Sequence, residues 1–304
     1  MLAGMKVTVT GATGRIGSHL VAALKARGDD VIALSRNAEK ASDKLGVEAL
    51  AWDPENETAP MAALVGRDAV VHLAGEDVAQ RWSKDAKKRI VDSREGGTRS
   101  LVHAIFDAKP RPPVLVCASA AGFYGDRGEE PVDETSPPGR DWLADVVVRW
   151  EAQADTAKLG TRVVKVRTGV VLDAGGGALE KMLPFFKAGV GGPVGGGKQY
   201  MPWIHLDDLV GIYLAAIDSP SFAGPINAAA PNPVTNKEFS HALGRALHRP
   251  AVAPVPGFTI KAMYGEMAQI VLKGARMVPG RAAELGYEFA HPDLDEALRD
   301  TLSG

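Results

Sequence analysis

Three glycines near the start of the chain have a spacing that suits phosphate binding. Gly11, Gly14 and Gly17 follow the β-branched run Val7–Thr10, and apolar residues at helical spacing come after them. This order predicts a strand, a tight loop and a helix N-terminus, whose backbone N–H groups and dipole attract a pyrophosphate. The strand and helix on either side favour a nucleotide site over a merely structural turn, and Thr13 within the loop is a further candidate contact.

The residues that follow the second predicted strand bear on the choice of cofactor. An NAD site usually has a carboxylate here that bonds the ribose 2′-hydroxyl, but this chain has Ser35 and Arg36. A guanidinium binds a 2′-phosphate bidentately, and Arg15 in the glycine loop supplies a second positive charge. The sequence therefore predicts NADP(H), with NAD(H) as the alternative cofactor. A solvated Arg36 at the start of a helix is the competing interpretation.

Other polar side chains are candidates for contacts to the adenine, the nicotinamide or a substrate. Asp53 follows the third predicted strand and would bond the adenine amino group, unless it is a turn residue. Ser119 would bond a substrate oxygen or the nicotinamide carboxamide. Tyr124 would donate a proton, although an unperturbed tyrosine is a poor base at neutral pH, and packing in a turn is the alternative. Arg94 would bind the cofactor's phosphates or an anionic substrate.

The histidines and the cysteine give no metal-binding pattern. The seven histidines form no close pair of ligands along the sequence, and Cys117 is the only cysteine, so we expect no metal site. His205 stands among apolar residues before a predicted helix. This setting favours a structural histidine over a general acid or base.

Strand and helix patterns alternate through about the first 170 residues, which predicts an α/β fold with a doubly wound parallel sheet (Rossmann). Ligands of such a sheet bind at the carboxyl ends of its strands. The predicted strands are Lys6–Thr10, Val31–Leu34, Ala49–Trp52, Ala69–Leu73, Val114–Ala118 and Arg162–Arg167. The predicted helices are Ile16–Arg27, Met61–Val65, Lys84–Ala108 and Trp142–Leu159, and one that ends near Ile217 and is capped by Asp207 or Asp208.

The character of the sequence changes after Leu172, where glycine-rich loops begin and a proline-rich tail follows. We therefore predict an NADP-binding Rossmann domain at 5–172 plus about 203–228. A second, smaller C-terminal lobe is predicted at 173–202 and 229–304, and it would close over the cleft. The sequence contains no internal repeat and no disordered tract.

The bulk composition narrows the classes of partner. A net charge of −2 on 304 residues argues against nucleic acid, and no apolar run approaches the roughly 20 residues of a membrane span. The single cysteine excludes an internal disulfide, and the segment Met1–Lys6 lacks the pattern of a signal peptide, which together favour the cytoplasm. A small-molecule substrate is expected, and the oligomeric state is not predicted.

Several motifs together resemble the extended short-chain dehydrogenase/reductases, in the order in which that family carries them. The chain looks most like an atypical branch labelled NAD-dependent epimerase/dehydratase or sugar-nucleotide epimerase-like, which carries a small C-terminal domain of unknown function. The motifs of the main domain are Thr10–Gly17, His72–Gly75, Ser119–Gly125, Arg167–Leu172 and Trp203–Asp208. Those that resemble the C-terminal domain are Asn227–Asn236 and Val278–Tyr287.

The resemblance implies positions for the cofactor along these motifs. The residues concerned are Gly11, Gly14, Ile16 and Gly17 at the pyrophosphate, Leu73 and Ala74 with the adjacent Gly75 at the adenosine and ribose, and Ser119 near the nicotinamide.

The chain departs from the family at the residues that carry the chemistry. Members need a Tyr-x-x-x-Lys pair, in which the lysine lowers the pKa of the tyrosine that acts as general acid and base. None of the five tyrosines here has a lysine four residues on. With Glu151 aligned on the family's glutamate, Leu143 and Val147 take the two positions, and Arg94 replaces the expected asparagine.

Two functions are compatible with this combination. The first is an NADP(H)-dependent oxidoreductase or epimerase that acts on a small carbonyl, alcohol or sugar-derived substrate, with Ser119 and Tyr124 as non-standard catalytic residues. The second is a non-catalytic NADP(H)-binding sensor, assembly factor or regulatory protein, which the missing tyrosine and lysine favour. We prefer the first because the second lobe is hard to explain without a ligand, an analogy at the level of the fold.

Overall fold

The computed structural model describes residues 4–303, and its largest element is a seven-stranded parallel sheet. The strands of the described chain are β1 (Lys6–Thr10), β2 (Asp30–Ser35), β3 (Glu48–Ala51), β4 (Ala69–His72), β5 (Val114–Ala120), β6 (Pro131–Val132), β7 (Arg162–Thr168), β8 (Val170–Leu172), β9 (Tyr200–Met201), β10 (Trp203–His205), β11 (Gly224–Ala228), β12 (Val234–Thr235) and β13 (Arg276–Met277). The α-helices are α1 (Arg15–Ala26), α2 (Ala38–Leu45), α3 (Lys84–Asp107), α4 (Trp142–Asp155), α5 (Gly177–Lys187), α6 (Leu206–Asp218), α7 (Asn236–Ala246), α8 (Gly257–Tyr264), α9 (Gln269–Leu272), α10 (Gly280–Glu284) and α11 (Leu294–Ser303).

The strand order of the sheet indicates the edge at which a ligand would bind, called the ligand edge below. The order is β11-β7-β5-β4-β1-β2-β3, and all neighbouring strands are parallel. The connections reverse direction between β1 and β4, which is the switch point where doubly wound sheets bind ligands. The carboxyl ends of β1 to β5 therefore lie along one edge, and the predicted Rossmann sheet is confirmed.

Helices cover both faces of the sheet, which explains why its strands are apolar on both sides. Leu20 and Leu24 of α1 pack with α6 on one face. Leu101 of α3 and Trp150 of α4 pack on the other. Burial of each such side chain stabilises the fold by about 1.5–3 kcal/mol.

The structure adds elements that the sequence patterns did not predict. The six predicted strands correspond to β1–β5 and β7, but β11 was not predicted because its Gly-Pro start gives no strand pattern. Proline is tolerated there because β11 is an edge strand. Helices α2 and α5 were also missed. The predicted helix at Met61–Val65 is only a 3₁₀ turn at Met61–Ala63, and α4 ends earlier than predicted, at Asp155.

The C-terminal part of the chain is mainly helical and has an apolar cluster of its own. Leu179 of α5, Phe239 of α7 and Leu298 of α11 pack there against β8 and β10. The exact division into two lobes stays a prediction, and residues 1–3 and 304 of the predicted segments lie outside the described residues. Among residues 4–303, no helix combines the length and the hydrophobicity that a membrane crossing needs.

Candidate functional site

The glycine loop joins β1 to α1 and leaves the helix N-terminus open. Gly11 has a φ of +65°, and a Cβ there would lie 2.7 Å from the backbone nitrogen of Ala74. A Cβ at Gly17 would lie 2.4 Å from the carbonyl oxygen of Gly11, so this glycine lets α1 pack onto the loop. Gly14 is the N-cap, and within the described residues no side chain caps α1 and no acidic residue stands in its first turn. The first N–H groups of α1 are thus available to an anion.

We expect Gly17→Ala to destabilise the protein while Gly96→Ala does not. The new methyl group of Gly17→Ala meets backbone atoms that cannot rotate away, and overpacking of this kind costs about 1–3 kcal/mol. Gly96 lies inside α3, and apart from the backbone of its own helix no described atom stands within 4 Å of where a Cβ would lie. Alanine at position 96 should raise the free energy of unfolding by at most about 1 kcal/mol, because alanine has a higher helix propensity than glycine. Urea unfolding of the two variants measures the difference, and equal midpoints would contradict the packing role of Gly17.

A buried hydrogen-bond chain fixes the loop after β4 beside the glycine loop. The Thr10 hydroxyl accepts bonds from the N–H groups of Leu73 and Ala74 at 3.2 and 3.3 Å. Its own proton therefore goes to His72 Nδ1, 2.7 Å away, and Nε2 of this ring donates to the Thr98 hydroxyl at 3.1 Å. Burial lowers the pKa of His72 to about 4, so the ring is neutral at pH 7. Leu73 and Ala74 are thereby held at the ligand edge.

Arg36 stands exposed just beyond the end of β2. The neighbouring Ser35 hydroxyl accepts a 3.3 Å bond from the N–H of Asn37, which shapes the turn into α2. In the segment after β4, the bond from Gln80, the ion pair with Arg89 and, last, the charge of Arg36 lower the pKa of Glu76. Arg36 is therefore a solvent-accessible cation on the ligand edge, beside β1.

Asp53, predicted as an adenine contact or a turn residue, makes turn contacts in the structure. Its carboxylate accepts a 2.7 Å bond from the Asn56 amide and a 3.2 Å bond from the N–H of Glu55. These bonds, and after them the charge of Arg36, lower the pKa of Asp53. The contact to adenine stays a prediction.

Arg15 of the glycine loop is paired with a carboxylate from far along the chain. Its Nε and Nη2 atoms lie 2.6 and 2.5 Å from the two oxygens of Asp173, just after β8. The bond from Arg15 lowers the pKa of Asp173. The next loop runs directly over the guanidinium, since a Cβ at Gly175 would lie 2.5 Å from Nη2. The Arg15 side chain still exposes 51% of its surface, so a second anion is able to reach it and to compete with Asp173.

Arg94 of α3 lies against Gly75, so the structure brings these two predicted residues together. A Cβ at Gly75 would be 3.5 Å from the guanidinium carbon. Nη1 of Arg94 donates a 2.8 Å bond to the carbonyl oxygen of Glu76, and the guanidinium lies 5.1 Å from the centre of the Trp150 ring. Burial lowers the pKa of Arg94 to about 10, which leaves it a cation at pH 7. Its contact to a phosphate or to an anionic substrate stays a prediction.

Ser119, at the carboxyl end of β5, belongs to a buried ionic cluster. Its hydroxyl donates a 2.6 Å bond to Glu151 of α4, which is only 5% exposed. Arg167 donates to both oxygens of the same carboxylate at 2.8 and 3.0 Å, and Lys165 Nζ lies 3.4 Å from it. Sequence reasoning singled out Ser119 but not this cluster. The available signal was the alternation of Lys165 and Arg167 with valines along a strand that is otherwise buried.

Tyr124 is fully buried, and its hydroxyl group is bonded on both sides. It donates a 2.6 Å bond to Asn227 and accepts a 2.9 Å bond from Arg167. Asn227 in turn donates to the carbonyl oxygen of Val278 in the C-terminal segment, at 2.8 Å. Burial raises the pKa of Tyr124 to about 12. Its role as proton donor stays a prediction, one that this geometry does not favour, because the proton is already shared with Asn227.

The helix face that carries the family's tyrosine and lysine is apolar in this chain. Leu143 and Val147 of α4 point at the turn after β5, where a Cβ at Gly122 would be 2.9 Å from Leu143 Cδ2 and 3.8 Å from Val147 Cγ2. Both side chains therefore pack against that turn. They offer no group that could transfer a proton.

The start of α6 differs from the sequence expectation. His205 is the N-cap, because its Nδ1 accepts the N–H of Asp207 at 3.2 Å, so neither predicted aspartate caps the helix. Asp208 instead accepts the N–H groups of Ala290 and His291 at 2.7 and 3.0 Å. The rings of His205 and His291 lie 3.8 Å apart at their centres. These two histidines are far apart along the sequence, and the tertiary fold brings them together.

Comparison with known proteins places this geometry in a family. Residues 7–229 match the NAD dependent epimerase/dehydratase family, and residues 255–301 match a domain of unknown function (DUF1731). An epimerase family protein of Arabidopsis thaliana, the chloroplastic SDR39U1 homolog, is 44% identical over 298 residues, which are 97% of this chain and 86% of the relative. The epimerase family protein MT2273 of Mycobacterium tuberculosis is 41% identical over 300 residues, which are 98% of this chain and 97% of the relative.

A solved structure agrees with these relatives. The crystal structure of the human epimerase family protein SDR39U1 (isoform 2) with NADPH has a TM-score of 0.89 and 36% identity, and the match covers 99% of this chain and 100% of that one. The match extends through the Rossmann sheet and the C-terminal helical region. These findings confirm the resemblance drawn from the motifs, whereas the cytoplasmic location stays a prediction. The chain belongs to the NAD dependent epimerase/dehydratase family and carries the DUF1731 domain in its C-terminal part.

Proposed function

We propose that the protein binds NADP(H) along the carboxyl edge of β1 to β5, with NAD(H) as the weaker alternative. The observation that carries this proposal is the open N-terminus of α1 behind Gly11 and Gly17, where a Cβ would collide with backbone atoms. Such a helix end binds a pyrophosphate, and Arg36 and Arg15 add cations suited to a 2′-phosphate. The NADPH in the human relative's crystal structure supports the choice of cofactor.

The reaction that the site supports best is hydride transfer with a small carbonyl, alcohol or sugar-derived substrate, as an oxidoreductase or an epimerase. When bound, the nicotinamide gives or takes the hydride. The Ser119 hydroxyl donates a 2.6 Å hydrogen bond to Glu151. The lone pairs of its oxygen are therefore available to accept a hydrogen bond from a substrate alcohol. Ser119 then takes that proton and passes its own to Glu151. In the reverse direction Glu151 returns a proton through Ser119 to the carbonyl oxygen.

The remaining members of the buried cluster are positioning residues in this proposal. Arg167 holds both oxygens of Glu151, and Tyr124 fixes Arg167 from the other side through a 2.9 Å bond. Asn227 holds Tyr124 and links the cluster to the C-terminal segment. Tyr124 thus acts through Arg167 and Glu151 rather than on the substrate.

A non-catalytic NADP(H)-binding protein, acting as a sensor or a regulator, is the second candidate. The observation that favours it is the apolar packing of Leu143 and Val147 at the positions of the family's tyrosine and lysine. It requires cofactor binding but no turnover.

A substrate screen with matched serine variants tests the two candidates. Consumption of NADPH is followed with aldehydes, ketones and keto sugars, and formation of NADPH from NADP⁺ is followed with alcohols. Sugar nucleotides are incubated with NADP⁺ and their isomers are separated by chromatography, because an epimerase uses no net cofactor. NADPH binding is measured separately. We expect Ser119→Ala to lower kcat/KM by about 10²–10⁴-fold, the usual contribution of a general acid or base, with an unchanged Kd for NADPH. Ser119→Thr keeps the hydroxyl and should keep activity, as should the control Ser219→Ala at the end of α6.

The results of the screen test three parts of the proposal separately: the turnover, the role of Ser119 in proton transfer and the binding of NADPH. Tight NADPH binding without any turnover in the whole screen would support the non-catalytic candidate instead. Turnover that Ser119→Ala leaves intact would remove Ser119 from the proton path. Absence of NADPH binding would overturn the cofactor assignment itself.

A further inference from the structure

Two stretches in the C-terminal part of the chain contain no acidic residue, although the whole chain has a net charge of −2. They are residues 181–206 and 239–265, and together they carry six lysines and arginines. The two stretches pack against each other, because Val194 pairs with Val255, whose N–H donates a 2.8 Å bond to the carbonyl oxygen of Pro193. Positive charge is therefore concentrated on one part of the molecule.

The same two stretches expose large apolar side chains. Nine such side chains of residues 4–303 are strongly exposed, and five of the nine belong to these stretches. They are between 48% and 74% exposed, and they are Phe185, Val190, Val252, Phe258 and Met263. Helix α8, which carries the last two, contains no buried residue. Exposed apolar side chains that cluster in this way mark an interaction surface.

Backbone contacts bring the apolar and the cationic side chains onto adjoining segments. The N–H of Val190 donates a 3.0 Å bond to the carbonyl oxygen of Phe185, so the chain turns back at the end of α5. Arg249 Nε donates a 3.1 Å bond to the carbonyl oxygen of Lys187, which brings the segment after α7 to this turn. Val252 follows three residues later. The basic apolar face, as we call this surface below, consists of Phe185, Lys187, Val190, Arg249, Val252 and Phe258.

A depression of about 520 Å³ opens at the edge of the basic apolar face, and its lining is rich in basic side chains. Arg245, His248, Arg249 and Val252 are among the residues that line it. Arg245 already donates to both oxygens of Asp295. Within residues 4–303, by contrast, the bond from Nε is the only side-chain hydrogen bond of Arg249. Its two terminal nitrogens are therefore available to an anion beside an exposed apolar residue.

We propose that the basic apolar face binds the surface of a membrane that contains anionic lipids. At such a surface apolar side chains enter the acyl boundary, while lysines and arginines attract the lipid phosphates. A second copy of the chain fits less well, because an isologous contact would place the same cations opposite each other. The surface requires no spanning helix and includes none of the residues assigned to the cofactor or to the proton path.

Binding to lipid vesicles tests the proposal. The full chain without an affinity tag is sedimented with vesicles of phosphatidylcholine alone, or of equal parts of phosphatidylcholine and phosphatidylglycerol. Each cation near an anionic surface strengthens binding about fivefold. Lys187 and Arg249 together should therefore make binding to the anionic vesicles roughly 25-fold tighter than to the neutral ones. Absence of binding to the anionic vesicles at low salt, or equal binding to both kinds, would overturn the proposal.

Matched variants locate the surface. Phe258→Ala removes an apolar ring and should weaken binding to anionic vesicles about 10–150-fold, and Arg249→Ala should weaken it about fivefold. Leu159→Ala and Lys40→Ala remove an exposed apolar and an exposed cationic side chain elsewhere, and both should bind like the wild type. All four side chains are exposed, so none of these changes removes a core contact. Vesicle binding that neither Phe258→Ala nor Arg249→Ala weakens would contradict the assignment.

Two further measurements separate lipid from other occupants of the face. Analytical ultracentrifugation gives the oligomeric state, and a dimer that Phe258→Ala dissociates, formed in place of vesicle binding, would assign the face to a second copy. Polyglutamate is a soluble anion without acyl chains, so we expect it to bind more weakly than the anionic vesicles and without any effect of Phe258→Ala. Polyglutamate binding as tight as vesicle binding would assign the face to an acidic protein and overturn the proposal.

Discussion

Arg36→Ala is expected to remove the preference of the protein for NADPH over NADH. Arg36 is an exposed cation beyond β2, where an NAD site would have a carboxylate. A charge-assisted bond to a 2′-phosphate contributes about 1.5–3 kcal/mol. Its loss should weaken NADPH binding about 10–150-fold and leave NADH binding nearly unchanged, because NADH has no 2′-phosphate. Fluorescence titration with both nucleotides gives the two Kd values.

A neighbouring lysine supplies the control for this experiment. Lys40→Ala removes one exposed positive charge from α2 and should leave the NADPH preference intact. Equal affinities of the wild type for NADPH and NADH would contradict the role of Arg36. If Arg36→Ala still preferred NADPH, recognition of the 2′-phosphate would be assigned to Arg15 instead.

Glu151→Gln is expected to destabilise the fold by about 3–5 kcal/mol, the typical effect of removing one partner from a buried ion pair. The substitution keeps the shape of the side chain but removes its charge. It leaves Arg167 and Lys165, whose side chains are 4% and 8% exposed, facing a neutral amide. Both cations then lack the carboxylate that compensates for their desolvation, although Lys165 retains Asp155 at 2.9 Å. Urea unfolding gives the free energy of unfolding in water.

Glu129→Gln removes an exposed carboxylate and serves as the matched control, with an expected change within about 0.5 kcal/mol. A similarly small effect of Glu151→Gln would mean that the cluster is not the stabilising unit described above. Because this substitution acts on folding, its effect on turnover cannot be separated from stability. The Ser119 variants are therefore the test of the proposed proton path.

Local patterns were sufficient to predict the ligand edge of the sheet. The β-branched run before Gly11 and the continuous apolar strand at Val114–Ala118 depend on neighbours in sequence and on burial, which a single sequence shows. Ser35 and Arg36 could be placed at this edge because a parallel strand ends immediately before them. The same reasoning failed for β11, whose glycine and proline give no strand pattern although pairing with β7 makes it a strand.

Contacts between distant segments could not be predicted in this way. Asp173 reaches Arg15 across 158 positions, and Tyr124 reaches Asn227 across 103. Such partners have no fixed spacing, because the fold alone determines which loops meet. The buried network around Glu151 therefore became visible only with the structure.

The bidentate pair between Arg15 and Asp173 has a consequence for the energetics of cofactor recognition. A cofactor phosphate that recruits Arg15 must compete with a carboxylate that the protein itself supplies, so binding is an exchange of anions rather than the capture of one by a vacant cation. The measured affinity then reflects the difference in free energy between two ion pairs, that of Arg15 with Asp173 and that of Arg15 with the phosphate. Salt weakens both pairs. Ionic strength should accordingly affect NADP(H) binding through Arg36 more than through Arg15.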